Sequence, residues 1–152
     1  MRITAKADYA VRATCELAAR AGEGPVKGDV IAAAQGIPLK FLENILGEMK
    51  KSGILASQRG AVGGYWLAKP AVEITVADVI RAVEGPLADV RGQRPEVLEF
   101  AGAAESLRDV WLAVRVNLRS VLERVTVADV AGRDLPAFVA DLLAEPDAFV
   151  PH

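Results

Sequence analysis

The stretch VKGDVIAAAQGIPLKFLENILGEMKKSGILASQRGAVGGYWL, running from Val26 to Leu67, decides the fold, because two short helical patterns joined by a turn are followed by a glycine-rich hairpin. Lys27 to Ala34 predicts a short helix with Val30, Ile31 and Ala34 inward. Gly36-Ile37-Pro38 turns the chain, and Pro38 suits the first position of the next helix. In that helix Leu42, Ile45, Leu46 and Met49 form one apolar stripe, which leaves Leu39, Lys40, Glu43, Asn44 and Lys50 outside it until Gly53 ends the helix. Ile54 to Arg59 and Gly64 to Ala68 then read as two strands around a flexible tip, Gly60-Ala61-Val62-Gly63-Gly64. This is the pattern of a winged helix-turn-helix, and the expected partner is double-stranded DNA.

The chemistry such a reader needs is modest: a helix that fits the major groove, side chains that reach base edges, and cations for phosphate. Lys40, at the exposed start of the helix, suits phosphate or guanine. Glu43 can accept from a cytosine amino group, and Asn44 can address adenine. Arg59 and the hairpin tip suit a minor groove, whose negative potential favours guanidinium. The competing use of these glycines, a nucleotide-phosphate cradle, lacks the Lys-Ser/Thr pair and the strand-to-helix setting of a P-loop.

Upstream, Thr4 caps a helix over about residues 5 to 21 with Ala10, Ala13, Leu17 and Ala21 on one face, closed by Gly22. Lys6, Tyr9 and Arg12 lie on one side of it, placed for a DNA backbone or for solvent. The net charge of -2 hides an asymmetry. Residues 1 to 70 carry 10 Lys/Arg and 6 Asp/Glu, hence +4, and residues 71 to 152 carry 8 and 14, hence -6. Phosphate neutralisation is expected of the front half, and solvation or partner contact of the back half.

Of the 152 residues 52% are hydrophobic and 5% aromatic, which suits one mainly helical domain with a dimerisation arm. A single cysteine, Cys15, makes no internal disulfide, and no leader or membrane span is legible, so a cytoplasmic protein is expected. Cys15 reads as a packed small apolar group rather than a redox switch.

Downstream, Thr75-Val76-Ala77-Asp78 and Thr126-Val127-Ala128-Asp129 repeat one capping pattern, each opening a short helix. Between them, Glu84-Gly85-Pro86 stops the first. A long helix is expected from about Glu105 to Arg124, with Leu107, Val110, Trp111, Val114, Leu118, Val121, Leu122 and Val125 as a dimer interface. The expected division is a winged helix-turn-helix domain at 1–86, a connecting loop at 87–104, a dimerisation helix and short helix at 105–132, and a tail at 133–152 whose Leu135, Phe138, Val139, Leu142 and Leu143 recur at helical spacing, for packing back on the dimer helix in preference to recruiting a partner.

Tyr9-Ala10-Val11-Arg12, Ile37 through Leu46, Arg59-Gly60 with Gly63-Gly64-Tyr65, and Ile74-Thr75 through Glu84-Gly85-Pro86 together make the chain similar to the Rrf family of bacterial winged-helix transcriptional regulators, over Met1 to about Gly132. The resemblance implies a homodimeric transcription factor, usually a repressor, that docks on a pseudo-palindromic operator through the third helix and the wing. Glu43 and Arg59 fall where family members make base and minor-groove contacts, and Gly60, Gly63, Gly64 and Tyr65 belong to the same wing. Pro38 stands where a serine is common.

Sensor members of the family carry three cysteines after the Glu-Gly-Pro motif, where thiolates hold an iron-sulfur cluster. The segment 87–104 contains none, Cys15 sits inside the first helix and His152 is the one histidine, so no cofactor and no metal are expected and Asp8 reads as a surface charge. In this cysteine-free branch control falls to a small molecule, a protein partner or the amount of regulator. Catalysis is not expected, for want of a nucleophile with a base. A protein-interaction module that keeps the fold but binds an enzyme or regulator instead of DNA is the competing reading.

Overall fold

The computed structural model describes residues 2–151. Helix α1, Ala5–Ala19, starts where the Thr4 hydroxyl accepts the Ala7 N–H at 3.0 Å. It buries Ala7, Ala10, Ala13 and Leu17, with Thr14 kept polar by donating to the Ala10 carbonyl at 2.7 Å. It stops two residues short of the expected end, because the Arg20 N–H already closes on the Glu16 and Ala18 carbonyls, and Gly22 lies in the following turn. Glu16 ties this helix to the next: it accepts from Arg20 at 2.6 Å and from Gln35 at 2.7 Å, hydrogen bonds that hold its carboxyl below the usual range.

Helix α2, Gly28–Gln35, ends at Gly36 in the left-handed conformation that glycine adopts without cost. Its inward residues are Ile31 and Ala32. The expectation for Val30 and Ala34 is corrected, since both are exposed. Five consecutive small apolar residues on a two-turn helix leave its rotational phase open, and packing against α1 and α3 chooses it. Helix α3, Leu39–Lys51, follows Pro38, which sits one position before the helix with an extended ψ of 121 rather than inside its first turn. Leu42, Ile45, Leu46 and Met49 are all buried, as the stripe requires, each contributing roughly 2 kcal/mol of transfer free energy.

The wing is the antiparallel pair β1, Leu55–Gln58, and β2, Gly64–Leu67, in the register Leu55↔Leu67 to Gln58↔Gly64. Val26 joins it as a one-residue third strand, exchanging hydrogen bonds of 2.9 and 2.8 Å with Tyr65. That contact needs glycine at 64: a Cβ there would lie 2.5 Å from the Val26 carbonyl, and φ is +153. The hairpin is therefore pinned to the chain that enters α2.

Helices α4, Val76–Glu84, and α6, Val127–Gly132, each open with a complete capping box, Thr75 with Asp78 and Thr126 with Asp129. The two caps lie side by side. Thr75 and Thr126 form an antiparallel bridge in which the Val76 N–H donates to the Val125 carbonyl at 2.9 Å and the Val127 N–H to the Ile74 carbonyl at 2.8 Å. Helix α6 thereby packs on α1, and Val127 enters the same core as Ile31 and Leu46, while Val125 is buried beside the bridge. One buried cluster thus joins residues on both sides of the segment 87–104.

Between these caps the chain makes an excursion. Leu87, Pro95 and Leu98 anchor the connection, which contains short 3-10 turns at Pro95–Val97 and Gly102–Ala104. Helix α5, Leu107–Leu122, is shorter than expected by two residues at each end and has no fully buried residue. Arg115 pairs with Glu96, and Arg81 of α4 pairs with Glu123. Helix α7, Ala137–Leu143, follows, with the Arg124 guanidinium 3.8 Å from the Phe138 ring centroid while Leu142 and Leu143 stay exposed.

Candidate nucleic-acid interface

Packing of the α3 stripe leaves Leu39, Lys40, Glu43, Asn44 and Lys50 on its solvent side, as the sequence predicts. Helix α1 braces α3: the Lys6 ammonium lies 2.7 Å from the Glu48 carboxylate, and Tyr9 meets Phe41 edge to face with centroids 5.7 Å apart. Arg12 sits 5.4 Å from the Tyr9 ring centroid, pairs with Asp8 at 3.1 Å and donates to the Gln35 carbonyl. Lys6 and Tyr9 are thus already engaged with the recognition helix, and Arg12 with α1 and the end of α2. Lys6 reaches a phosphate only by exchanging it for Glu48.

A groove of about 640 Å³ separates the far end of α3 from the wing, and Lys27, Lys50, Lys51 and Arg59 line it without a single acidic residue. Among the described residues no carboxylate lies within 4.0 Å of any of these four, nor of Lys40. Concentrated unpaired cations at a groove edge are what a polyphosphate backbone neutralises. Sequence reasoning found Lys50 and Arg59 but missed Lys27 and Lys51. Lys27 is far from Arg59 in sequence and is brought to the groove by the bridge of Val26 to Tyr65, whereas Lys51 directly follows Lys50 at the end of α3.

The wing residues divide. Arg59 and Gly60 are exposed at the tip with Ala61 and Val62. Gly63 is buried and donates to the Gly60 carbonyl at 3.0 Å, and a Cβ on it would fall 2.3 Å from the Gln58 carbonyl oxygen. The expectation of a flexible tip running through Gly63 and Gly64 is corrected: Gly63 closes a tight turn, and Gly64 opens β2 against the Val26 backbone. Tyr65 packs half-buried against the core.

Of the eight residues expected at a dimer interface, Val125 is corrected, being 7% exposed inside the chain's own core. The remaining stripe has two edges. Trp111, Val114, Leu118 and Leu122 face a cleft shared with α1 and α4, while Leu107, Val110 and Val121 lie outside that cleft, with Val110 51% exposed.

Burial pushes the Cys15 thiol up to about 11, so it is uncharged at neutral pH and a poor nucleophile or metal ligand. Among the described residues no group of three His, Cys, Asp or Glu is placed to hold a metal ion. His152 lies outside the described residues. The donor set an iron-sulfur cluster requires is not present in the segment 87–104, which has no thiolate to offer. No helix among the described residues is long and apolar enough to cross a membrane.

Residues 3–133 match the family model Rrf2, described as an iron-dependent transcriptional regulator. The chain is 51% identical over 142 residues to Rv1287 of Mycobacterium tuberculosis, named as an HTH-type transcriptional regulator, covering 93% of this chain and 88% of that one. It is 35% identical over 131 residues to the HTH-type transcriptional regulator CymR of Bacillus subtilis, covering 86% and 90% respectively. Among solved structures it resembles B. subtilis CymR, the global cysteine regulator, with a TM-score of 0.73 at 33% identity over 88% of this chain and 98% of that one. It also resembles IscR of T. potens, with a TM-score of 0.71 at 34% identity over 88% of each chain. An exposed recognition helix, a pinned wing and an acid-free basic groove agree with this likeness: the chain belongs to the Rrf2 family and is a DNA-binding, winged helix-turn-helix transcriptional regulator.

Proposed function

We propose that the protein is a repressor that binds a pseudo-palindromic operator as a homodimer and needs no iron-sulfur cluster to do so. The observation that carries the docking mode is the groove holding Lys27, Lys50, Lys51 and Arg59 beside the free face of α3. In this mode Lys40, Glu43 and Asn44 address base edges in the major groove, and Arg59 with Gly60 enters the adjacent minor groove. Homodimerisation is supported by α5, whose apolar stripe leaves no residue fully buried within its own chain. Leu107, Val110 and Val121, on the stripe's open edge, form the centre of the proposed interface. A two-fold dimer places its two recognition helices about 34 Å apart, one turn of DNA.

The test is binding of the purified, metal-free protein to its own upstream region against scrambled duplex of equal length. Selective binding at moderate salt is expected. Arg59→Ala should weaken it about tenfold or more, with altered preference at A·T-rich flanks. Binding that shows no preference for the upstream region would instead favour a protein-interaction module. Sedimentation of Val110→Glu checks the dimer, which is expected to dissociate while its far-ultraviolet circular dichroism is retained. Repression, as opposed to activation, is read from a reporter fused to that upstream region.

A further inference from the structure

We propose that Gly47 is the point at which the DNA sugar-phosphate backbone meets the recognition helix at closer range than a side chain would allow, with Lys50 and Lys51 holding the phosphate seated there. The inference rests on the docking mode proposed above and adds to it the residue that sets how deeply α3 seats.

Gly47 is out of place by the rules of its own helix. It stands in the interior of α3, Leu39–Lys51, where glycine is destabilising relative to alanine because it loses more backbone freedom on folding. Every other glycine of the chain takes a positive φ, closes the wing turn, or stands at the first or last residue of a helix. Crowding does not call for a glycine here either. Beyond its own helix backbone and chain neighbours, a Cβ built on Gly47 has no atom within 4 Å, whereas one on Gly63 or Gly64 would strike backbone at 2.3 or 2.5 Å. The fold leaves room for a side chain at this position and places none there. The demand for a bare backbone at 47 therefore comes from outside the chain.

The position of Gly47 says what approaches. Residues three and four apart share a face of a helix, so Gly47 lies one turn beyond Glu43 and Asn44 and one turn before Lys50 and Lys51. It is roughly 6 Å along the axis from Glu43, between the base readers and the cations. A recognition helix contacts base edges through its N-terminal residues, so a DNA strand that crosses α3 nearer its end presents sugar and phosphate. Gly47, Lys50 and Lys51 all line the acid-free groove with Arg59. The adjoining acid, Glu48, is paired with Lys6 of α1 at 2.7 Å. Among the described residues neither Lys50 nor Lys51 has a carboxylate within 4.0 Å. A phosphate passing over Gly47 thus meets two ammonium groups and no side chain beneath it.

The experiment compares the full chain with Gly47→Ala and Gly47→Leu, both good helix formers, in thermal melts and in fluorescence anisotropy on the upstream duplex and on scrambled duplex. Gly47→Ala should melt about 2 °C or more above the wild type. Its affinity for the upstream duplex should nevertheless fall about threefold, and that of Gly47→Leu about tenfold or more, with the same factors on scrambled duplex at low salt. A neutral methylphosphonate, scanned singly along the upstream duplex, should find a phosphate whose replacement weakens the wild type more than it weakens Gly47→Leu. Wild-type affinity in Gly47→Leu, or equal effects of every methylphosphonate on both chains, would overturn the contact. A loss confined to the upstream duplex would put a base edge over Gly47 and overturn the phosphate assignment. A lower melting temperature in Gly47→Ala would overturn the claim that the fold itself leaves room. Affinity lost in Arg59→Ala but kept in Gly47→Leu refutes this contact alone, and affinity kept in both refutes the docking mode.

Discussion

Lys27 and Lys51 provide the sharpest test of how the protein holds DNA. Both lie in the acid-free groove with Lys50 and Arg59, and none of the four has a carboxylate partner among the described residues. Each cation that neutralises a phosphate releases condensed counterions and contributes about 0.9 to the slope of log affinity against log salt. Four such contacts per protomer give a slope of about 3.6, or about 7 for a two-fold dimer. Raising salt fourfold, from about 50 to 200 mM, then lowers affinity by roughly 10⁴. Replacing Lys27 and Lys51 together by alanine removes half of the contacts, so the dimer slope should fall to about 3.6 and the fourfold salt step should cost only about 10². Neither lysine contacts a base edge in this mode, so the preference for the upstream region over scrambled duplex should survive at low salt. Fluorescence anisotropy at four or five salt concentrations measures both quantities. An unchanged slope, or a loss of selectivity with the slope intact, would refute the assignment of this groove to the phosphate backbone.

Three further outcomes follow from the fold. Gly64→Ala should destabilise by about 3 kcal/mol or more in a urea titration, since its methyl would lie 2.5 Å from the Val26 backbone, and DNA affinity should fall with it because the wing loses its anchor. Gly60→Ala, with open space around the added carbon but φ +106, should be milder, and equal losses at both positions would contradict the close-approach argument. The Cys15 thiol has its folded value raised from 9.0 to about 11, so the unfolded chain deprotonates first and stability should decline as pH rises from about 9 towards 11. Cys15→Ala should remove that decline, and the native thiol should react slowly with a disulfide reagent at pH 7 and rapidly in denaturant. Thr75→Ala and Thr126→Ala should each cost about 1 kcal/mol, the worth of a capping hydroxyl, and the pair should be non-additive because the two caps are bridged through Ile74 and Val125.

Much of the fold was legible because its signals are local. The stripe Leu42, Ile45, Leu46 and Met49 specifies α3 and its exposed face together, since a period of 3.6 leaves little choice of phase over thirteen residues. Thr4, Thr75 and Thr126 mark helix starts for the same reason, each satisfying an orphan N–H within three residues. The short helix α2 was not phased correctly, because Val30-Ile31-Ala32-Ala33-Ala34 is apolar all round and only contact with α1 and α3 selects Ile31 and Ala32. Val125 read as part of the α5 stripe because it continues the spacing, yet the bridge to α4 turns it into the core.

The sequence by itself therefore determined the helix-turn-helix, the exposed recognition face with Lys40, Glu43 and Asn44, the hairpin with Arg59, and the lack of thiolates after Glu84-Gly85-Pro86. These depend on composition and on spacings of a few residues. Tertiary structure alone decided that Lys27 and Lys51 share a groove with Arg59, that Gly63 and Gly64 answer to close backbone approach, that α6 returns to α1, and that Arg2 and Arg91 meet at one cleft. Lys27 with Arg59, Gly64 with Val26, α6 with α1 and Arg2 with Arg91 are distant in the chain, and such pairings follow from packing and backbone hydrogen bonds that no local pattern encodes.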